Sequence, residues 1–180
     1  MKRQSVIMAS AEQDSDIVIQ IARNFKDVNV PLPRLRKLLK TALDRFAVSK
    51  TRGAGYVVDI AIVDDSQIRQ LNNRFKNRDA TTDCLSFDLS DDRKEPDAGS
   101  NAPRVLEVIV NGQMAARQAN LRGHSGEAEL ALYITHGLLH CLGFDDSTRT
   151  EARKMHEAED EILQQLGYGL VYNRDIREQE

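Results

Sequence analysis

The stretch His136-Gly137-Leu138-Leu139-His140-Cys141-Leu142-Gly143-Phe144-Asp145-Asp146 decides how this chain is read. It continues an apolar run that begins at Leu130. A helix turns ~100° per residue, so side chains at i and i+4 leave the same face. His136 and His140 therefore point the same way from one buried helix. Gly143 stands where that helix must stop, because glycine takes the left-handed conformation at little steric cost. The chain can then fold back and carry Asp145 or Asp146 toward the imidazoles. Two imidazoles and a carboxylate leave a fourth position open, the form that catalytic metal sites take. Core histidines can also be satisfied by hydrogen bonds alone, and the spacing by itself is half of a metal-site motif.

Working outward, a helix apolar nearly all round must be covered on most sides. The rest of the chain supplies the cover. Ile17-Val18-Ile19-Gln20-Ile21 reads as a strand, and Pro31 and Pro33 introduce a helix to about Phe46. The basic side chains of that helix (Arg34, Arg36, Lys37, Lys40, Arg45) read as a solvated surface or as a phosphate-attracting face. Residues 57–63 form the clearest strand, and Asp64 starts a helix carrying Ile68, Leu71 and Phe75. A cationic turn follows from Arg74 to Asp79, then a strand over 82–87 and a polar loop over 88–103. Residues 105–110 make a fourth strand. Helices follow over 113–121, 127–142 and 148–166, the last with capping-box spacing at Thr148 and Glu151. The pattern predicts an α/β (α+β) fold, a small mixed four-stranded sheet packed with about five helices. The metal site would lie on the central helix and the turn after it.

At 180 residues the chain predicts one domain over 16–170, with a flexible segment at 1–15 and a tail at 171–180. A net charge of −3 advertises no broad attraction to nucleic acid, although a local basic patch would still serve. Cys84 and Cys141 sit in apolar contexts and read as reduced core thiols. The polar start lacks the apolar core of a signal peptide, and no run approaches the ~18 apolar residues of a membrane span. A cytoplasmic protein without a membrane partner is expected.

The block from His136 to Asp146 resembles the signature of the YbeY-type bacterial rRNA-maturation endoribonucleases, His-Gly-x-Leu-His-Leu-x-Gly-Tyr-Asp-His. Leu71-Asn72-Asn73-Arg74-Phe75-Lys76 and Asp79-Ala80-Thr81-Thr82-Asp83-Cys84-Leu85-Ser86-Phe87 are similar to a second block of that family. Met155 and Glu159 match its Met-x-x-x-Glu pattern, and the likeness runs over about 55–167 in one order. The resemblance implies a single-strand-specific, metal-dependent endoribonuclease acting in 16S rRNA 3′-end maturation and ribosome quality control. It implies His136, His140 and Asp146 as ligands of one divalent metal, zinc first and Mn, Ni or Fe as alternatives. Lys76 would offset charge developing at phosphorus, and Arg74 and Arg78 would contact RNA. Small-subunit ribosomal proteins and an assembly GTPase are the implied partners.

Three positions depart from the family pattern. Asp146 replaces its third histidine, which keeps a ligand type but adds a negative charge to the metal. Lys76 replaces an arginine and loses the planar fork that grips phosphate. Leu106-Glu107-Val108 replaces its Gly-Asp-Ile. The first two keep a rival open, a non-catalytic RNA- or protein-binding factor of ribosome assembly with a structural or decayed metal site. A peptidase would want Glu at Gly137. An iron-dependent oxygenase shares only the two-histidine, one-carboxylate set. Asp145 would orient a histidine or simply shape the turn. Glu159 would hydrogen-bond near the site or form a helix salt bridge. His124 is expected in a turn away from the metal, and His156 exposed on a charged helix.

Overall fold

The computed structural model describes residues 17–47, 55–90 and 102–172. The expected segment at 1–15, most of the 88–103 loop and the tail beyond Tyr172 lie outside them. Among the described residues there are four strands and five helices, as the sequence pattern predicts: β1 (Ile17–Arg23), α1 (Leu32–Phe46), β2 (Tyr56–Val63), α2 (Asp65–Lys76), β3 (Cys84–Asp88), β4 (Arg104–Asn111), α3 (Gly112–Arg122), α4 (Gly126–Cys141) and α5 (Arg149–Gln165). The sheet runs β1-β2-β4-β3, parallel through the first three strands and antiparallel at the β3 edge. Among the described residues, no helix is long and apolar enough to cross a membrane.

Strand alternation divides the core. Val58, Ile60 and Ile62 of β2 share a face with Leu106, Val108 and Val110 of β4, and this face receives α4. On the opposite face Val63, Leu85 and Ile109 receive Ile68 of α2. Helix α4 is buried at nearly every position, including Leu130, Ile134, Leu138 and Leu139, under α1, α3 and α5. It reaches the sheet through Gly137. A Cβ there would lie 2.7 Å from Val108 Cγ1 of β4. Only a glycine lets the histidine helix pack this closely.

The ends of α4 are fixed by local chemistry. Ser125 accepts from the Ala128 N–H at the start. At the other end Gly143 has φ +95°. The Gly143 N–H bonds the His140 carbonyl and the Phe144 N–H bonds the Leu139 carbonyl, each at 3.0 Å, the Schellman arrangement. Phe144 then packs edge-to-face on Phe46 of α1, with ring centroids 5.3 Å apart, which anchors the turn.

Two boundaries differ from the sequence reading. Helix α2 continues through Arg74 and Lys76, and the turn begins at Asn77, which takes the left-handed conformation at φ 54°. Strand β3 starts at Cys84 rather than Thr82. The Asp83 carboxylate accepts from the Cys84 N–H and the Thr82 hydroxyl, a local bond that competes with ladder pairing.

Candidate metal centre

His136 and His140 face one point from successive turns of α4, their Nε2 atoms 3.2 Å apart. Each ring is held from behind. His136 Nδ1 donates to Glu159 Oε1 of α5 at 2.7 Å, and His140 Nδ1 donates to the Phe144 carbonyl at 3.1 Å. A carboxylate and a carbonyl can only accept, so both Nδ1 atoms carry the proton in the neutral rings. Both Nε2 atoms then present lone pairs to one another. Burial alone would depress the His136 pKa, but the hydrogen bond and charge of Glu159 reverse it and raise the value. Two facing lone pairs call for a cation between them.

Asp146 supplies the third donor, with Oδ2 3.8 Å from His136 Nε2 and the side chain half exposed. One donor atom from each of His136, His140 and Asp146 lies within 4.8 Å of the other two. Two nitrogens at ~2.0–2.1 Å from a tetrahedral zinc lie about 3.3 Å apart, so the histidine pair has the right separation for that ion. The donor set therefore fits a metal. The turn after α4 sets the approach of Asp146. Asp145 accepts from the Asp146 and Ser147 N–H groups and from the Ser147 hydroxyl, so its carboxylate shapes the turn. Those bonds hold its pKa below the usual carboxylate range.

Glu159 is buried and uses both oxygens. The second accepts from His156 Nδ1 at 2.9 Å. His156 is thus not the exposed residue expected from its charged neighbours. Its side chain is only 17% exposed and its ring stacks on Tyr172. Burial would raise the Glu159 pKa, yet its bonds to the two histidines leave it lowered. His124 lies away from this cluster, with Nε2 3.0 Å from the buried carboxylate of Glu129, which also accepts from Arg122.

The cluster lies in a cleft with two chambers. The first, of about 520 Å³, is walled by Lys76, Ser86, His140 and Cys141 together with Asp145 and Asp146. Lys76 reaches it from the last turn of α2, whereas Arg74 lies over the Phe75 ring and neither it nor Arg78 lines either chamber. Cys84 and Cys141 are free thiols. Burial pushes the Cys84 pKa well up and that of Cys141 to about 11, so neither is a ready nucleophile.

Two residues were not assigned a role from sequence. Asp83 lines both chambers and, with Cys84 and His136, forms a second group of donors within 4.8 Å of one another. Its signal was its place in the Thr-Asp block before β3. Asn111 is fully buried at the end of β4. Its amide donates to the Thr82 carbonyl and to Asp65, and its side-chain oxygen caps α3 at Met114. It fixes the segment that presents Asp83; its place between strand and helix signals the cap, but nothing local marks its bonds to Thr82 and Asp65.

The sequence pattern of the family described as Endoribonuclease YbeY matches residues 20–167. The Endoribonuclease YbeY of Carboxydothermus hydrogenoformans is 40% identical over 124 residues, covering 67% of this chain and 82% of that protein. That of Staphylococcus aureus is 38% identical over 116 residues, covering 63% and 74%. The solution structure of TM1509 from Thermotoga maritima superposes with a TM-score of 0.49 at 22% identity, covering 90% of this chain and 93% of the other. With the match extending from β1 to the end of α5, the chain belongs to the YbeY endoribonuclease family.

Proposed function

We propose that this protein is a single-strand-specific, metal-dependent endoribonuclease that acts in the cytoplasm on the 3′ end of 16S rRNA and in ribosome quality control. The observation that carries the reading is the pair of Nε2 atoms 3.2 Å apart, with Asp146 beside them in an open cleft. His136, His140 and Asp146 would hold one divalent ion, zinc by preference. When bound, that ion supplies Lewis acidity and an activated water for phosphodiester hydrolysis. The chain's own residues do the rest. Glu159 and the Phe144 carbonyl keep both imidazoles in the ligating tautomer. Asp83, at the junction of the chambers, is placed to accept a proton from the attacking water. Lys76 offsets negative charge that builds on the phosphoryl oxygens as the P–O bond breaks. Small-subunit ribosomal proteins and an assembly GTPase are the proposed partners.

The test is cleavage of one defined RNA, single-stranded or annealed to its complement, by protein loaded with zinc or manganese or stripped by chelator. Cutting confined to the single strand and to loaded protein supports the reading. Loaded protein that leaves the single strand intact overturns it. The rival, a non-catalytic assembly factor, draws on Lys76 and Asp146 standing where the family has arginine and histidine. Tight RNA binding without cutting would favour it.

A further inference from the structure

The second chamber differs in kind from the first. It has about 580 Å³ and shares the wall of Asp83, His136 and Asp146 with the metal cluster. Its other walls include an apolar and aromatic part, formed by Met114, Leu132, Tyr133 and the stacked pair of His156 and Tyr172. That pair is parallel, with ring centroids 3.4 Å apart and planes 13° apart. One face of the Tyr172 ring lies on His156, and Tyr172 remains 40% exposed. Gln118 and Arg122 enter beside these walls, in addition to Thr81, Thr82 and Glu159. Gln118 lines the chamber, and among the described residues its amide has no hydrogen-bond partner. Arg122 lines it with one amino group fixed on buried Glu129 at 3.0 Å. Apolar and aromatic walls with a few placed polar groups form a pocket for a flat heterocycle, not for a phosphate. The first chamber, walled by hydroxyls, four aspartates, two histidines and one lysine, is polar instead, and on the proposed reading a metal ion on its histidines would receive the phosphate.

We propose that the second chamber is a nucleobase subsite. In this inference, which rests on the RNA-cleavage reading, one unpaired base beside the scissile phosphate extends the His156–Tyr172 stack, and Gln118 and Arg122 bond its edge. A base held in a duplex cannot reach the chamber without leaving its partner and its stack. The chamber would therefore be the physical source of a single-strand requirement, and the position it reads would be fixed relative to the cut.

The experiment is an abasic scan with metal-loaded protein. A single-stranded RNA oligonucleotide is made with one abasic residue at each position in turn, and both affinity and cleavage are measured. One position flanking the cut should lose affinity by on the order of tenfold, as expected for a lost base–aromatic stack. Tyr172→Leu and Gln118→Ala should weaken binding of the intact oligonucleotide, with Tyr172→Phe restoring it. Neither should weaken further the oligonucleotide that is abasic at the sensitive position. Losses that add independently, or a flat scan, would overturn the subsite. A flat scan with normal cutting leaves the nuclease reading standing and removes only the subsite. A sensitive position coupled to Tyr172 without cutting supports the subsite and removes the nuclease reading.

Discussion

Replacing Glu159 with Gln would perturb the candidate metal centre without touching a proposed ligand. The carboxylate is buried, 1% exposed, and accepts from His136 Nδ1 at 2.7 Å and from His156 Nδ1 at 2.9 Å. An amide has one acceptor end and one donor end. With its oxygen toward His136, the ligating tautomer survives but faces a neutral partner. With its NH₂ toward His136, that ring must move its proton to Nε2 and lose the lone pair aimed at His140. Either way the imidazole is a poorer ligand. Loss of such an orienting partner typically costs 10–100-fold in metal affinity, about 1.4–2.7 kcal/mol. The affinity is read by zinc competition against a chromophoric chelator at neutral pH. His156→Ala is the comparison, because His156 touches the same carboxylate but donates nothing to the Nε2 pair, and its effect should be smaller. Wild-type zinc affinity in Glu159→Gln would refute the claim that this carboxylate sets the ring.

Gly137→Ala should destabilise the fold by about 1–3 kcal/mol, since its methyl would lie 2.7 Å from Val108 Cγ1 in a fully buried site; an unchanged melting temperature would contradict the packing. Lys76→Ala should slow RNA cleavage by roughly ten- to a hundredfold with metal content unchanged, checked by single-turnover kinetics beside metal analysis. RNA affinity should fall when the metal is chelated, which fluorescence anisotropy would show, and equal affinity in both states would count against a shared cleft. Asp65 is held below the usual carboxylate range chiefly by its hydrogen bond from Arg117, with burial opposing and Asn111 assisting. A depressed carboxylate adds stability that is present above its unfolded pKa of ~3.9 and is lost as pH falls through the lower folded value. The stability gap between wild type and Asp65→Asn should therefore close on the acid side in urea melts, and a gap independent of pH would refute the assignment.

What the sequence disclosed about this centre was local, and what it hid was long-range. The 3.6-residue period places His136 and His140 on one face, and Gly143 marks the stop that folds the chain back, because both follow from backbone geometry over a few residues. The strand and helix order was readable for the same reason. His156 was misjudged because Arg153, Lys154 and Glu157 surround it in sequence, while its cover comes from Tyr172 and from an oxygen of Glu159 already engaged with His136. Buried Glu129 was equally hidden. It reads as a first-turn helix acid, yet Arg122 and His124 close over it from the preceding turn. Periodicity tells which face a residue occupies, not which distant group will compensate its charge. Asn111 is the extreme case, a buried amide whose three bonds run to Thr82, Asp65 and Met114.

The charge of the cleft constrains how a polyanion could be held there. Asp83, Asp88, Asp145 and Asp146 line the first chamber, Asp88 paired with Arg104, and Lys76 is the only lysine or arginine among its lining residues. With a net charge of −3 the chain as a whole offers no compensating field. An RNA phosphate entering this chamber alone meets more repulsion than attraction. A divalent ion on His136, His140 and Asp146 changes the sign of the balance at the one point where the phosphate must sit. On the proposed reading the metal therefore binds as well as activates, and the remaining affinity has to come from contacts that carry little charge. The aromatic wall of the second chamber is such a contact. Recognition built this way should depend weakly on salt, because few phosphates are neutralised and few counterions are released. A steep salt dependence would instead point to a basic face elsewhere, and the exposed arginines and lysines of α1 are where that face would lie.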